Sequence, residues 1–165
     1  MIPSRPLAGA FLVVALATGA ARGDAPAVAL DQHGRSHAWK GPSGQLTLLD
    51  FAASWCAPCA KTLPRLEAFA HQHPDLRVLT VSVDERRKGR DDLVASLHLD
   101  LPMLWDEGHR IAEHYQPEAM PAAFLIAPSG EVLHTALGSG DKEWNELVHR
   151  VEDELQRARR DHAPG

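Results

Sequence analysis

The sequence predicts an α/β fold, a mixed sheet parallel in its middle with helices on both faces, and three observations carry that expectation. Two near-continuous apolar runs of strand length, residues 46–51 and 77–83, have the composition of strands covered on both faces. Segments with apolar residues at helical spacing alternate with them. The order then changes: residues 122–127 and 131–137 flank Pro128-Ser129-Gly130, a tight-turn sequence between two antiparallel strands.

The chain begins with Arg5, an apolar run over residues 7–21, and small-residue cleavage candidates at Gly19-Ala20-Ala21 and Ala21-Arg22-Gly23. That is the pattern of a signal peptide, residues 1–23. The run is about 15 residues, short of the ~20 a spanning helix needs, so an uncleaved membrane anchor is the weaker reading. No cysteine stands near the cleavage candidates to accept a lipid. Residues 24–165 then form one domain, large enough to bury a core without staples.

Within that domain, residues 27–39 read as a β-hairpin leader turning at Gln32-His33-Gly34, followed by the loop Gly41-Pro42-Ser43-Gly44. The strand over 46–51 is the central one. A helix over 56–71 has Leu63, Leu66, Phe69 and Ala70 on one face and Lys61, Arg65 and Glu67 between them. After the strand over 77–83, a helical period is expected for residues 91–99. A short strand at Met103-Leu104-Trp105, a turn at Asp106-Glu107-Gly108 and a short helix over 111–115 follow, the last ended by Gln116-Pro117. Asp141 is the expected N-cap of a final helix to about residue 160, with Trp144, Leu147, Val148, Val151 and Leu155 inward.

The formal net charge of −5 and the absence of any polybasic patch exclude nucleic acid as a partner. Cysteine usage says more. Exported proteins commonly use cysteines as bridges between distant positions, yet this chain has only two, three residues apart. Closing so short a loop gains the least chain entropy, so the pair is kept for reactivity.

A thiolate, not a thiol, attacks a disulfide, and an ordinary cysteine is mostly protonated at neutral pH. Cys56 at the first turn of a helix has unpaired backbone N–H groups and the positive end of the helix dipole aimed at its sulfur. Cys59, one turn on, is close enough to form a disulfide with it. The roles expected are Cys56, exposed, as nucleophile and Cys59, more buried, as resolving thiol. Pro58 removes one backbone donor and stiffens the first turn.

Residues 48–59, Leu-Leu-Asp-Phe-Ala-Ala-Ser-Trp-Cys-Ala-Pro-Cys, resemble the strand and active-site loop of thioredoxins. The resemblance implies a thioredoxin-like three-layer α/β/α sandwich. It implies that Trp55 is the tryptophan before the nucleophile and Asp50 the buried carboxylate that accepts the resolving thiol's proton, for which a raised pKa suits it. It also implies that Pro121 is a cis-proline facing the disulfide, and that Met120 before it offers backbone to an incoming peptide. The leader hairpin and the extra helix–strand segment over 86–106 are similar to exported TlpA/ResA-type thiol–disulfide reductases. There Glu85 falls where such proteins place an active-site glutamate, and Asp50 and Glu85 are alternative proton acceptors. Ala122 departs from the threonine usual after the cis-proline.

The resemblance implies an enzyme that reduces disulfides of exported proteins, of cytochrome or oxidase maturation type. Its electrons come from a membrane-embedded thiol donor, and it is monomeric with no cofactor beyond the Cys56–Cys59 couple. A disulfide oxidase or isomerase, and a non-catalytic module holding apo-proteins or metal, are the alternatives. A zinc site would need a second cysteine pair or histidines at ligand spacing, and the sequence has neither. His71, His73, His109 and His114 read as solvated surface residues. A peroxiredoxin would need Thr-x-x-Cys, which Ser54-Trp55-Cys56 does not provide, and copper delivery normally uses a longer cysteine spacing with a distant histidine.

Overall fold

The structure, a computed structural model, describes residues 27–161. The expected signal peptide over 1–23 lies outside the described residues. Among those described, no helix is long and apolar enough to cross a membrane.

The leader folds as expected into two antiparallel strands, β1 (Val28–Leu30) and β2 (Ser36–Ala38). Its turn is built on Asp31, whose buried carboxylate accepts from the backbone N–H groups of His33 and Arg35, from Arg35 Nε at 2.8 Å and from His37 Nε2 at 2.9 Å. This concentration of donors holds the Asp31 carboxyl well below the ordinary aspartate range, although burial opposes it.

Five strands make the main sheet: β3 (Thr47–Ala52), β4 (Arg77–Ser82), β5 (Met103–Trp105), β6 (Ala122–Ile126) and β7 (Val132–Leu137), in the order β5-β4-β3-β6-β7. The first three are parallel, and β6 and β7 run antiparallel to their neighbours. β3 is therefore the middle strand, and every one of its residues is buried. Helices α1 (Ala57–Gln72) and α2 (Arg87–Leu97) carry the two parallel crossovers. Because both crossovers step the same way across the sheet and such connections are right-handed, they fall on one face. α4 (Asp141–Asp161) covers the rest of that face through Leu147, Val151 and Leu155, which pack with Leu48, Leu66 and Leu125. The opposite face is closed more thinly, by Trp39 beyond the leader and by Ile111 of the short α3 (Arg110–Tyr115), over Leu49, Phe51, Leu79 and Val81.

Two element boundaries differ from expectation. α2 begins at Arg87, four residues before the apolar period does, because its first turn, Arg87-Lys88-Gly89-Arg90, has no apolar residue to reveal it. Asp141 lies inside α4: the Gly140 carbonyl accepts the Trp144 N–H and holds the capping position, while the Asp141 carboxylate reaches Arg65 of α1 at 2.9 Å. His73 and His114 also do more than face water, for their rings rest against Phe69 and Trp39.

Leu48 has no exposed surface, whereas Val132 on the edge strand is 43 % exposed. Leu48→Ala is expected to lower the unfolding free energy in urea by about 2–5 kcal/mol, and Val132→Ala by no more than about 0.5 kcal/mol. Equal losses at the two positions would place the core elsewhere.

Candidate active site

β3 ends at Ala52 and α1 begins at Ala57, so the chain turns from strand to helix within the connector Ala53-Ser54-Trp55-Cys56. The turn is closed by the Cys56 N–H donating to the Ala53 carbonyl at 3.0 Å. Cys56 is the N-cap of α1 in extended conformation, and its Sγ accepts the Cys59 N–H at 3.2 Å. A sulfur thus stands where serine or aspartate usually caps a helix, which is the placement that favours a thiolate. Pro58 sits in the first turn, and Pro64 further along removes one helical hydrogen bond.

Cys56 and Cys59 are joined as a disulfide with their Cα atoms 5.2 Å apart. Cys59 is wholly buried, as expected, but Cys56 is not the exposed residue the sequence suggested: only 5 % of it reaches solvent. Its side chain packs in an apolar cluster with Ala52, Leu63, Leu93 and Met103, and the helix-capping geometry turns the sulfur inward toward its own first turn. The surface beside it belongs to Trp55, which is 69 % exposed. Met120 packs on the cluster that holds both cysteines, and the Met120–Pro121 bond is cis, as the resemblance implies.

Asp50 lies on the same face of β3 as Ala52, two residues nearer the middle of the strand. It is 6 % exposed, and its Oδ2 has no hydrogen-bond partner. Burial pushes its carboxyl up to about 8. A carboxylate with that property takes or gives a proton near neutral pH. Glu85 is placed differently. It is exposed, three residues past the end of β4, on the rim of a concavity it shares with Trp55, Arg86 and Lys88. The structure therefore brings Cys56, Cys59 and Met120 into one apolar cluster, sets Asp50 and Pro121 on a cleft with Thr62, whose hydroxyl donates to the Cys59 carbonyl, and leaves Glu85 with Trp55 at the surface.

Asp84 is the site residue the sequence reading missed. Its buried carboxylate accepts from the Ser54 N–H at 3.0 Å, from the Ser54 hydroxyl at 2.6 Å and from the Ser82 hydroxyl at 2.8 Å, and its carbonyl accepts the Trp105 indole N–H. It fastens the loop before Cys56 to the end of β4. A Cβ at Gly89 would come within 2.5 Å of its Cγ, so only glycine lets α2 approach it. An aspartate two residues past a strand ordinarily reads as a turn residue; the available clue was a glycine in the first turn of a helix, where it costs about 1 kcal/mol against alanine. Among the described residues, no group of three or more potential ligands is placed to hold a metal ion.

The Asp50 shift fixes a sign for stability. The folded protein holds the Asp50 proton over a range in which an exposed aspartate has lost it, so this group's contribution is complete below about pH 4 and declines as pH rises toward 8. In urea titrations of the oxidised protein between pH 5 and 8, Asp50→Asn is expected to gain on the parent by up to about 1.4 kcal/mol per pH unit. A difference independent of pH would show that Asp50 is ionised in the fold.

A profile of the thioredoxin-like family matches residues 44–132. Sporulation thiol-disulfide oxidoreductase A of Bacillus subtilis is 30% identical over 112 residues, covering 62% of this chain and 68% of the relative. Thiol-disulfide oxidoreductase ResA of Bacillus cereus is 26% identical over 118 residues, covering 70% and 68%. The crystal structure of StoA from Bacillus subtilis superposes with a TM-score of 0.64 at 26% identity, over 76% of this chain and 98% of that one. A putative thiol:disulfide interchange protein DsbE from Chlorobium tepidum superposes with a TM-score of 0.67 at 22% identity, over 80% and 92%. With its disulfide at the strand-to-helix turn, the chain belongs to the thioredoxin-like family and is a thiol–disulfide oxidoreductase of the ResA/StoA type.

Proposed function

We propose that the protein reduces disulfides in exported proteins, of the kind handled in cytochrome or oxidase maturation, and is itself reduced by a membrane-embedded thiol donor. The observation that carries this reading is the Cys56 sulfur capping α1 just past the strand that carries a buried, unpartnered carboxylate. Export is supported by the signal-like pattern of residues 1–23, and thiol–disulfide exchange as the chemistry by the likeness to thiol-disulfide oxidoreductases.

The steps follow from the placement. Cys56, as thiolate held by the helix N-terminus, attacks one sulfur of a client disulfide, and the other client sulfur leaves as a thiolate. Asp50 takes the proton of the Cys59 thiol. The Cys59 thiolate then attacks the Cys56 sulfur of the mixed disulfide, the second client sulfur departs, and two electrons have passed from the cysteine pair to the client. Met120 and Trp55 flank the reacting sulfurs, Met120 offering backbone to a client strand and Trp55 an exposed ring.

Cys56→Ser is expected to abolish insulin-disulfide reduction, while Cys59→Ser accumulates a mixed disulfide that can be isolated with its client. A wild type without reductase activity that binds one zinc tightly would replace the enzyme with a binding module. A Cys56–Cys59 potential near that of strong oxidants, about −120 mV, would reverse the direction. Asp50→Asn is expected to slow resolution of the mixed disulfide by about 10²-fold, the lower end of what a positioned base contributes. Unchanged single-turnover rates, with Glu85→Gln slow instead, would assign the proton to Glu85.

A further inference from the structure

A small cleft of about 30 Å³ leads from Asp50 to the surface between α1 and the start of α4. It has room for one or two waters. Its walls are apolar at Leu66, Ala123 and Leu147, and its polar lining is Thr62, Ser139 and Glu143. Thr62 is already engaged, its hydroxyl donating to the Cys59 carbonyl at 3.2 Å. Glu143 is the only titratable side chain besides Asp50 on that lining.

The Glu143 side chain lies back along the loop that precedes α4. Its carboxylate oxygen lies so close over Gly140 that a methyl group there would collide with it, and its Cγ sits 3.9 Å from where a Cβ of Gly138 would be. The neighbouring charges are engaged elsewhere: Arg65 of α1 pairs with Asp141 at 2.9 Å and lies over the Trp144 ring at 4.7 Å, and Lys142 pairs with Glu146. At the inner end, Asp50 Oδ2 has no protein partner, so no side chain stands ready to receive a proton directly.

We propose that Glu143 is the outlet through which Asp50 exchanges its proton with solvent along this cleft. The proposal rests on Asp50 as the acceptor for Cys59. After resolution the oxidised protein holds one proton on Asp50, which passes to water in the cleft, then to the Glu143 carboxylate, and from there to bulk solvent. No electron moves in this step, and Glu143 returns to its starting state. A buried acid that must reset in every cycle is limited by its route to water, and the apolar walls leave one.

The test mixes reduced protein with an aromatic client disulfide whose acidic thiols leave and stay ionised, in weak buffer above about pH 8, where Asp50 can give up its proton, and follows resolution by the absorbance of the released thiolate and proton release by an indicator dye. Glu143→Gln is expected to slow proton release about fivefold, well short of the ~10²-fold loss of the base itself, and added imidazole is expected to restore it. Glu152→Gln, an exposed change on the same helix, serves as the control for lost charge. If Asp50→Asn slows resolution but Glu143→Gln releases its proton at the parent rate, the outlet is overturned and the acceptor stands. If Asp50→Asn also resolves at the parent rate, both fall. A displaced pH profile without any dependence on imidazole would make Glu143 an electrostatic neighbour and overturn the relay.

Discussion

The 3.2 Å contact between the Cys59 N–H and the Cys56 sulfur governs the rest of the site. A helix leaves its first N–H groups without partners, and something must meet them. Here the residue that meets them is the one proposed to react as an anion. Capping and activation are one interaction, and it requires α1 to start at that residue. A helix beginning one residue later would leave Cys56 in a free loop, and one beginning earlier would place its sulfur on the side of the first turn.

That requirement explains how firmly the four residues between β3 and α1 are held. Asp84 takes both donors of Ser54, Ser82 orients Asp84, and Gly89 has no side chain, so that α2 fits against the carboxylate. Three elements converge on the backbone just before the nucleophile. Trp55, inside the same turn, is left exposed, since the inward turn of the sulfur leaves the outer surface to the indole. The burial of Cys56 and the exposure of Trp55 are two sides of one geometry.

The middle of the sheet was legible in the sequence because its strands are uniform: β3 is buried at all six positions, and a run such as Leu-Leu-Asp-Phe leaves little else to infer. Asp50, Cys56, Cys59 and Pro121 were legible through a local pattern that keeps them close in sequence or beside a strand. The start of α2 was not, because helical periodicity records apolar contacts and its first turn makes its contact through a glycine lying on Asp84. Asp84 escaped for a related reason: its partner Ser54 is thirty residues away, and nothing in either segment points to the other. The cleft beside Asp50 is likewise a product of three distant segments meeting.

Asp50 gives the clearest view of what the fold gives up for its chemistry. An apolar residue in the middle of β3 would pack against Leu66 and Leu147 and leave no unpartnered oxygen in the core. The carboxylate instead makes the protein less stable as pH rises toward 8, the range in which it is also most able to exchange a proton. These are the same property, because the desolvation that disfavours the charged form is what moves its titration into the working range. Satisfying Oδ2 with a strong donor would recover stability and return the group to ordinary aspartate behaviour, so the proposed mechanism requires that partner to be missing.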